Sequence, residues 1–123
     1  MTLKSEPYRQ GMLAEERAFS YLKEKGLQAL DRNYRTHRGE IDIIMQDKET
    51  VVFVEVRART NNYTMDILET IDHRKRSRII LASHHYLQKT KRTNKSICRF
   101  DVVLLTGPPE SAKIDWIKNA FEA

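Results

Sequence analysis

Cysteine occurs once in these 123 residues, as Cys98, and glycine only four times. One thiol excludes an internal disulfide and any zinc site built from several cysteines. Four scattered glycines argue against the phosphate-cradling loop of nucleotide-triphosphate enzymes. Prolines number three, and no Pro/Gly-rich linker, repeat or low-complexity stretch divides the chain. Apolar runs stay short, as in Val51–Val54 and Ile79–Ala82, far below the roughly 18 residues a membrane-spanning helix needs. The opening Met-Thr-Leu-Lys-Ser-Glu-Pro has no apolar core of a secretory signal. These absences lead to the expectation of one soluble, unprocessed domain over residues 1–123, cytoplasmic and without a membrane partner.

What the chain does have is charge, unevenly placed. Its 22 Lys/Arg outweigh 17 Asp/Glu, for a net +5. Between Arg57 and Arg99, eleven basic residues face only Asp66, Glu69 and Asp72, so that segment carries +8 and the rest −3. Such asymmetry favours a polyanionic partner, because neutralising phosphates releases condensed counterions. A solvated helix face that keeps the protein soluble is the competing explanation.

Hydrophobic patterning predicts the order α-β-β-β-α-β plus a tail, an α/β class with a mixed central sheet flanked by helices. A first helix spans about residues 7–25, with Pro7 in its first turn and Gly26 past its end. Strands follow at Leu27–Arg35, Ile41–Gln46 and Val51–Arg59, the last two forming a hairpin across Asp47-Lys48-Glu49-Thr50. Thr60–Thr64 and Lys91–Ser96 are polar connections. A second helix runs from about Ile71 to Thr90, with Thr70 as its expected N-cap. Ile97–Leu105 is a further strand, and Lys113–Phe121 fits either a strand or a short helix.

Three carboxylates stand out against this pattern. On the first helix, Tyr8, Met12, Phe19 and Leu22 form an apolar stripe with Glu15 in its middle. In the hairpin, a loop centred between Lys48 and Glu49 places Asp42 opposite Glu55 and Glu40 opposite Arg57. Strand alternation puts all four on one face, while Val52, Val54, Val56 and Ala58 cover the other. Like charges directly opposed on neighbouring strands repel. A hard divalent cation such as Mg²⁺ or Mn²⁺ would reconcile the pair, since it prefers oxygen ligands; a structural charge network with Arg57 is the alternative. On the second helix, Lys75 lines up with Ile79, Ala82 and Tyr86, so its ammonium faces the core side. Arg74, Arg78, His85, Lys89 and Arg92 form a separate basic stripe suited to a nucleic-acid backbone. His84 and His85 are adjacent and so do not chelate as a pair, and Cys98 is expected in the core.

These residues also carry a family likeness. Gly11-x-x-Ala-Glu15-x-x-Ala18, Asn33-Tyr-Arg35, Gly39-Glu-Ile-Asp42-Ile-Ile, Val52-Phe-Val-Glu55-Val-Arg57-x-Arg59, Lys75, Arg99-Phe-Asp101-Val-Val and Asn119-Ala-Phe121 resemble the YraN family. Those small bacterial proteins look like Holliday-junction resolvases of the restriction-endonuclease-like PD-(D/E)xK fold. The resemblance runs from about Gly11 to Phe121 and implies the acidic motif of metal-dependent nucleases. It matches Glu15, Asp42 and Glu55 to acidic catalytic positions and Lys75 to a recurrent helix lysine. It also implies the Val56 carbonyl as a further metal ligand beside Asp42 and Glu55. Where such nucleases usually carry Glu-x-Lys, this chain has Glu55-Val56-Arg57; arginine stays protonated and cannot act as a base.

The expected function is therefore Mg²⁺- or Mn²⁺-dependent hydrolysis of DNA, branched or structured DNA included. Glu15, Asp42, Glu55, Arg57 and Lys75 would be catalytic, with Arg59, Arg74, Arg78, Lys89 and Arg92 binding the nucleic acid. By analogy with resolvases, a homodimer is the expected assembly. A nucleic-acid-binding module of the same fold, without the chemistry, is the alternative that Arg57 supports.

Overall fold

A computed structural model describes residues 6–59, 71–92 and 97–123. Its order is α1 (Glu6–Glu24), β1 (Gln28–Arg35), β2 (Glu40–Asp47), β3 (Thr50–Arg59), α2 (His73–Lys89), β4 (Ile97–Thr106) and β5 (Lys113–Phe121). The five strands make one mixed sheet in the order β1-β2-β3-β4-β5. β1, β2 and β3 run antiparallel, β3 and β4 parallel, and β4 and β5 antiparallel. The single parallel step requires a crossover, and α2 lies within it. This is the α/β mixed sheet expected from the patterning, and the tail left open there is a strand. None of the described helices is long and apolar enough to cross a membrane.

Each helix covers one face of the sheet. Ala14, Ala18 and Leu22 of α1 pack on Ile43, Met45, Val52, Val54, Val103 and Leu105. Ile79, Ala82, Tyr86 and Leu87 of α2 pack on Ile44, Val51, Phe53 and Phe100. α1 ends in a Schellman motif: Gly26, at φ 101°, and Leu27 return their amides to the Lys23 and Leu22 carbonyls, and Leu27 is buried.

Several expectations change. Tyr8 and Met12 are each 49% exposed, so the buried line of α1 is Ala14, Ala18 and Leu22 rather than the stripe centred on Glu15. Residues Glu6–Leu13 are exposed throughout, and the close approach to the sheet occurs at the two alanines. Asp72 caps α2 by accepting from the Lys75 amide; Thr70, the expected cap, lies outside the described residues, as do Thr60–Thr64 and part of Lys91–Ser96. Cys98 is exposed at the start of β4 instead of buried.

The hairpin register is the one the loop position dictates, with Ile43 opposite Val54 and Asp47 opposite Thr50. Alternation, however, fails at Asp42. Ile43 joins the α1 side and Ile41 the α2 side, although they are two residues apart. Opposite Asp42, between the Arg32–Ile43 and Tyr34–Ile41 pairs, sits Asn33 at φ 51°. A left-handed residue turns the strand over locally, and Arg32 and Tyr34 accordingly point to different helices. Glu40 therefore pairs with Arg35 across β1, at 3.3 Å, rather than with Arg57.

At the far edge, Asp101 is fully buried and accepts from the Arg99 guanidinium, the Trp116 indole and the Asn119 amide. This carboxylate ties β5 to β4 where their register shifts. Replacing it leaves the Trp116 indole and the Asn119 amide without their acceptor and Arg99 with Asp47 alone as counter-ion, so Asp101→Ala should cost about 3 kcal/mol. Urea unfolding followed by the Trp116 fluorescence measures this; a loss within about 0.5 kcal/mol, as for an ordinary surface change, would show that the network does not hold β5.

Candidate active site

The β2–β3 ladder ends at Ile43–Val54. One step beyond, the Val56 amide donates to Asp42 Oδ2 at 2.8 Å instead of to a backbone carbonyl. Asp42 is thereby held beside Glu55, whose side chain keeps only 7% of its exposure. α2 supplies the counter-charge. Its capped first turn sets Lys75 over the sheet, with Nζ 3.3 Å from Glu55 Oε1. Arg57, on the same strand face as Glu55, places Nε 3.7 Å from that oxygen.

Burial dominates the electrostatics. The Glu55 carboxyl is pushed up to about 7, first by loss of solvent and then by the Asp42 charge, against the pull of Lys75 and Arg57. Asp42 is also raised by burial, opposed by the Val56 amide and Lys75. Half-buried Glu15 is raised by burial and then by Asp42, so α1 brings a third carboxylate within electrostatic reach. Its Oε1 is buried and has no hydrogen-bond partner among the described residues.

Oxygen donors that repel one another, with one buried oxygen unsatisfied, fit a hard divalent cation. Among the described residues, no group of three or more His, Cys, Asp or Glu is assembled to hold a metal unaided. A cation on Asp42 and Glu55 would thus complete its shell with backbone carbonyl, water or substrate oxygens, as Mg²⁺ commonly does.

A cleft of about 530 Å³ opens next to this group, between α2 and the turn joining β1 to β2, and shares Arg57 and Lys75 with it. Arg57, Arg74, Lys75 and Arg78 line it, as the basic segment suggested. Lys89 and Arg92 lie farther along α2: Lys89 sits over the Tyr34 ring and Arg92 donates to Gln46. Arg59 donates to Thr106 across the β3–β4 pair. Sequence reasoning missed the opposite wall, Arg35, Thr36, His37 and Gly39. The only hint was Gly39, whose need is steric: a Cβ there would stand 2.2 Å from the Arg78 carbonyl oxygen.

The model of the uncharacterised protein family UPF0102 matches residues 14–105. A UPF0102 protein of Pseudomonas putida is 46% identical over 117 residues, covering 94% of this chain and 95% of its own length. One from Stutzerimonas stutzeri is 43% identical over 119 residues, covering 97% and 99%. One from Pseudomonas aeruginosa is 44% identical and covers both chains fully.

A carboxyl raised on folding takes up protons relative to the unfolded chain. Its stabilising contribution is full below about 4.5, the ordinary glutamate value, and is lost as pH rises through about 7. In chelator, the wild type should therefore lose stability between pH 5 and 8 relative to Glu55→Gln, by on the order of 2 kcal/mol. Parallel stability–pH curves for the two proteins, from chemical denaturation, would show that the Glu55 environment is not as described.

Proposed function

The chain belongs to the uncharacterised protein family UPF0102, and on the geometry above we propose that it is a Mg²⁺- or Mn²⁺-dependent nuclease acting on DNA, branched or structured DNA included. The observation that carries this reading is the convergence of Asp42 and Glu55 beside Lys75 and Arg57, two cations that also line the neighbouring cleft. The likeness of the acidic motif to that of resolvase-type nucleases supports it. Asp42 and Glu55 would hold the ion, with the Val56 carbonyl as a further ligand by that likeness. The bound ion supplies polarisation of the phosphate and a lowered pKa for water.

The protein groups do the rest. Lys75 and Arg57 lie at the cleft and can contact the scissile phosphate, where fixed cations stabilise charge that develops on its oxygens. Arg57 stays protonated and so acts as a charge, not a base. The unsatisfied Glu15 Oε1 is available to accept a proton or hydrogen bond from the attacking water. As water oxygen bonds to phosphorus, the bond to the leaving sugar oxygen breaks and that oxygen takes a proton. The same reading places the reaction in the cytoplasm and carries over a homodimer from the resolvase likeness.

One observation favours a second reading. Glu55 already has Lys75 and Arg57 as counter-ions, which is what a structural network in a binding module of this fold would contain.

Calorimetric titration with Mn²⁺ separates the two. Heat is expected for the wild type and not for Asp42→Asn; equal heats from both would reject the metal site. With labelled four-way junction, single strand and duplex, Mn²⁺-dependent products should appear and fall by more than about a hundredfold in Asp42→Ala, beyond the 10–100-fold typical of losing an outer-shell partner. Salt-sensitive binding without products from any substrate would instead establish the binding module.

A further inference from the structure

The cleft has two facing basic walls whose separation is set by backbone packing. On one side stand Arg74, Lys75 and Arg78 of α2; on the other stand Arg35 and His37 of the β1–β2 turn. Gly39 lets the turn touch α2, since even a methyl group there would collide with the Arg78 carbonyl. The Arg78 Nε reaches the Arg38 carbonyl at 3.4 Å from the other direction. The turn is also stiff within itself. Thr36 Oγ1 accepts from the Arg38 and Gly39 amides, and the Thr36 amide donates to the Gly39 carbonyl. The Thr36, Arg38 and Gly39 amides are thus occupied, and the wall presents the side chains of Arg35 and His37 to a ligand.

Resting on the nuclease reading of the same site, we infer that this cleft takes a single DNA strand, which passes between α2 and the β1–β2 turn with its phosphates held from both sides. Three features select that ligand over a duplex. At about 530 Å³ the cleft is in the range of sites that enclose a ligand the size of a nucleotide. A duplex carries its phosphates on a broad convex surface and would meet only the rim. Cations on facing walls, by contrast, surround one backbone, the arrangement of a single-strand groove.

The lining also sets the character of the binding. Five cationic side chains, Arg35, Arg57, Arg74, Lys75 and Arg78, line the cleft with two carboxylates, Glu40 and Asp72, while Arg57 and Lys75 also pair with Glu55 behind it. Asp72 accepts from the Lys75 amide and Glu40 pairs with Arg35. Arg74 is exposed and makes no ion pair among the described residues. His37 brings the one aromatic ring of the lining, so base stacking contributes little and sequence preference is weak. Recognition through roughly two or three phosphates gives a log–log salt slope of about −1.4 to −2 for a single strand.

Fluorescence anisotropy in EDTA tests this without hydrolysis. A labelled oligothymidine should bind at least tenfold more tightly than a blunt hairpin duplex of equal charge. Arg74→Glu should weaken oligothymidine binding about tenfold or more, while Lys118→Ala on β5 leaves it unchanged. Equal or tighter binding of the duplex would overturn the inference, as would an Arg74→Glu protein that binds the strand like the wild type. Because chelator removes the ion, strand binding without any Mn²⁺-dependent cleavage would sink the nuclease reading and keep the cleft assignment. Cleavage of duplex by a protein that fails to hold the strand would do the reverse.

Discussion

A single hydrogen bond, from the Val56 amide to the Asp42 carboxylate, marks where the β2–β3 ladder ends while the rest of the sheet runs on. It satisfies a strand amide that has lost its backbone partner, which a buried amide requires. In doing so it fixes an acidic side chain beside a second one, Glu55, at the mouth of an otherwise apolar hairpin. Lys75 meets the acidic pair at that point, and the electrostatic strain gathers there.

Comparison with Asp101 shows why this pair reads as a working site. Asp101 is more deeply buried, yet its two oxygens receive Arg99, an indole and a backbone amide. Nothing is left for a ligand to supply. Asp42 and Glu55 share Lys75 and Arg57, repel each other, and stand near a Glu15 oxygen that has no partner. Burial without full compensation is costly. A bound cation or a protonation event relieves it.

The two walls of the cleft divide the labour in the same way. α2 brings charge from a segment that is basic along its length, and the β1–β2 turn brings rigidity through Thr36 and Gly39. A preformed gap between charged walls loses little ordering entropy when a ligand enters.

Much of this was legible in the residues themselves. Val/Ile-rich alternation defined β2 and β3, and the position of the Lys48-Glu49 loop fixed their register as far as Ile43 and Val54; beyond that, Asp42 comes beside Glu55 through its bond to the Val56 amide. Local pattern suffices there because a one-residue slip would turn every buried side chain to the other face. The same logic misjudged α1, where Tyr8 and Met12 suggested a core stripe and are instead exposed. It also missed the face switch at Asp42, which follows from a left-handed Asn33 on a different strand. The meeting of the Arg35–Gly39 turn with the Arg78 backbone brings together segments some forty residues apart. Periodicity and charge are properties of one segment, so they determined the strands, the acidic pair and the basic helix; the cleft is a distance between segments, and only packing in three dimensions could decide it.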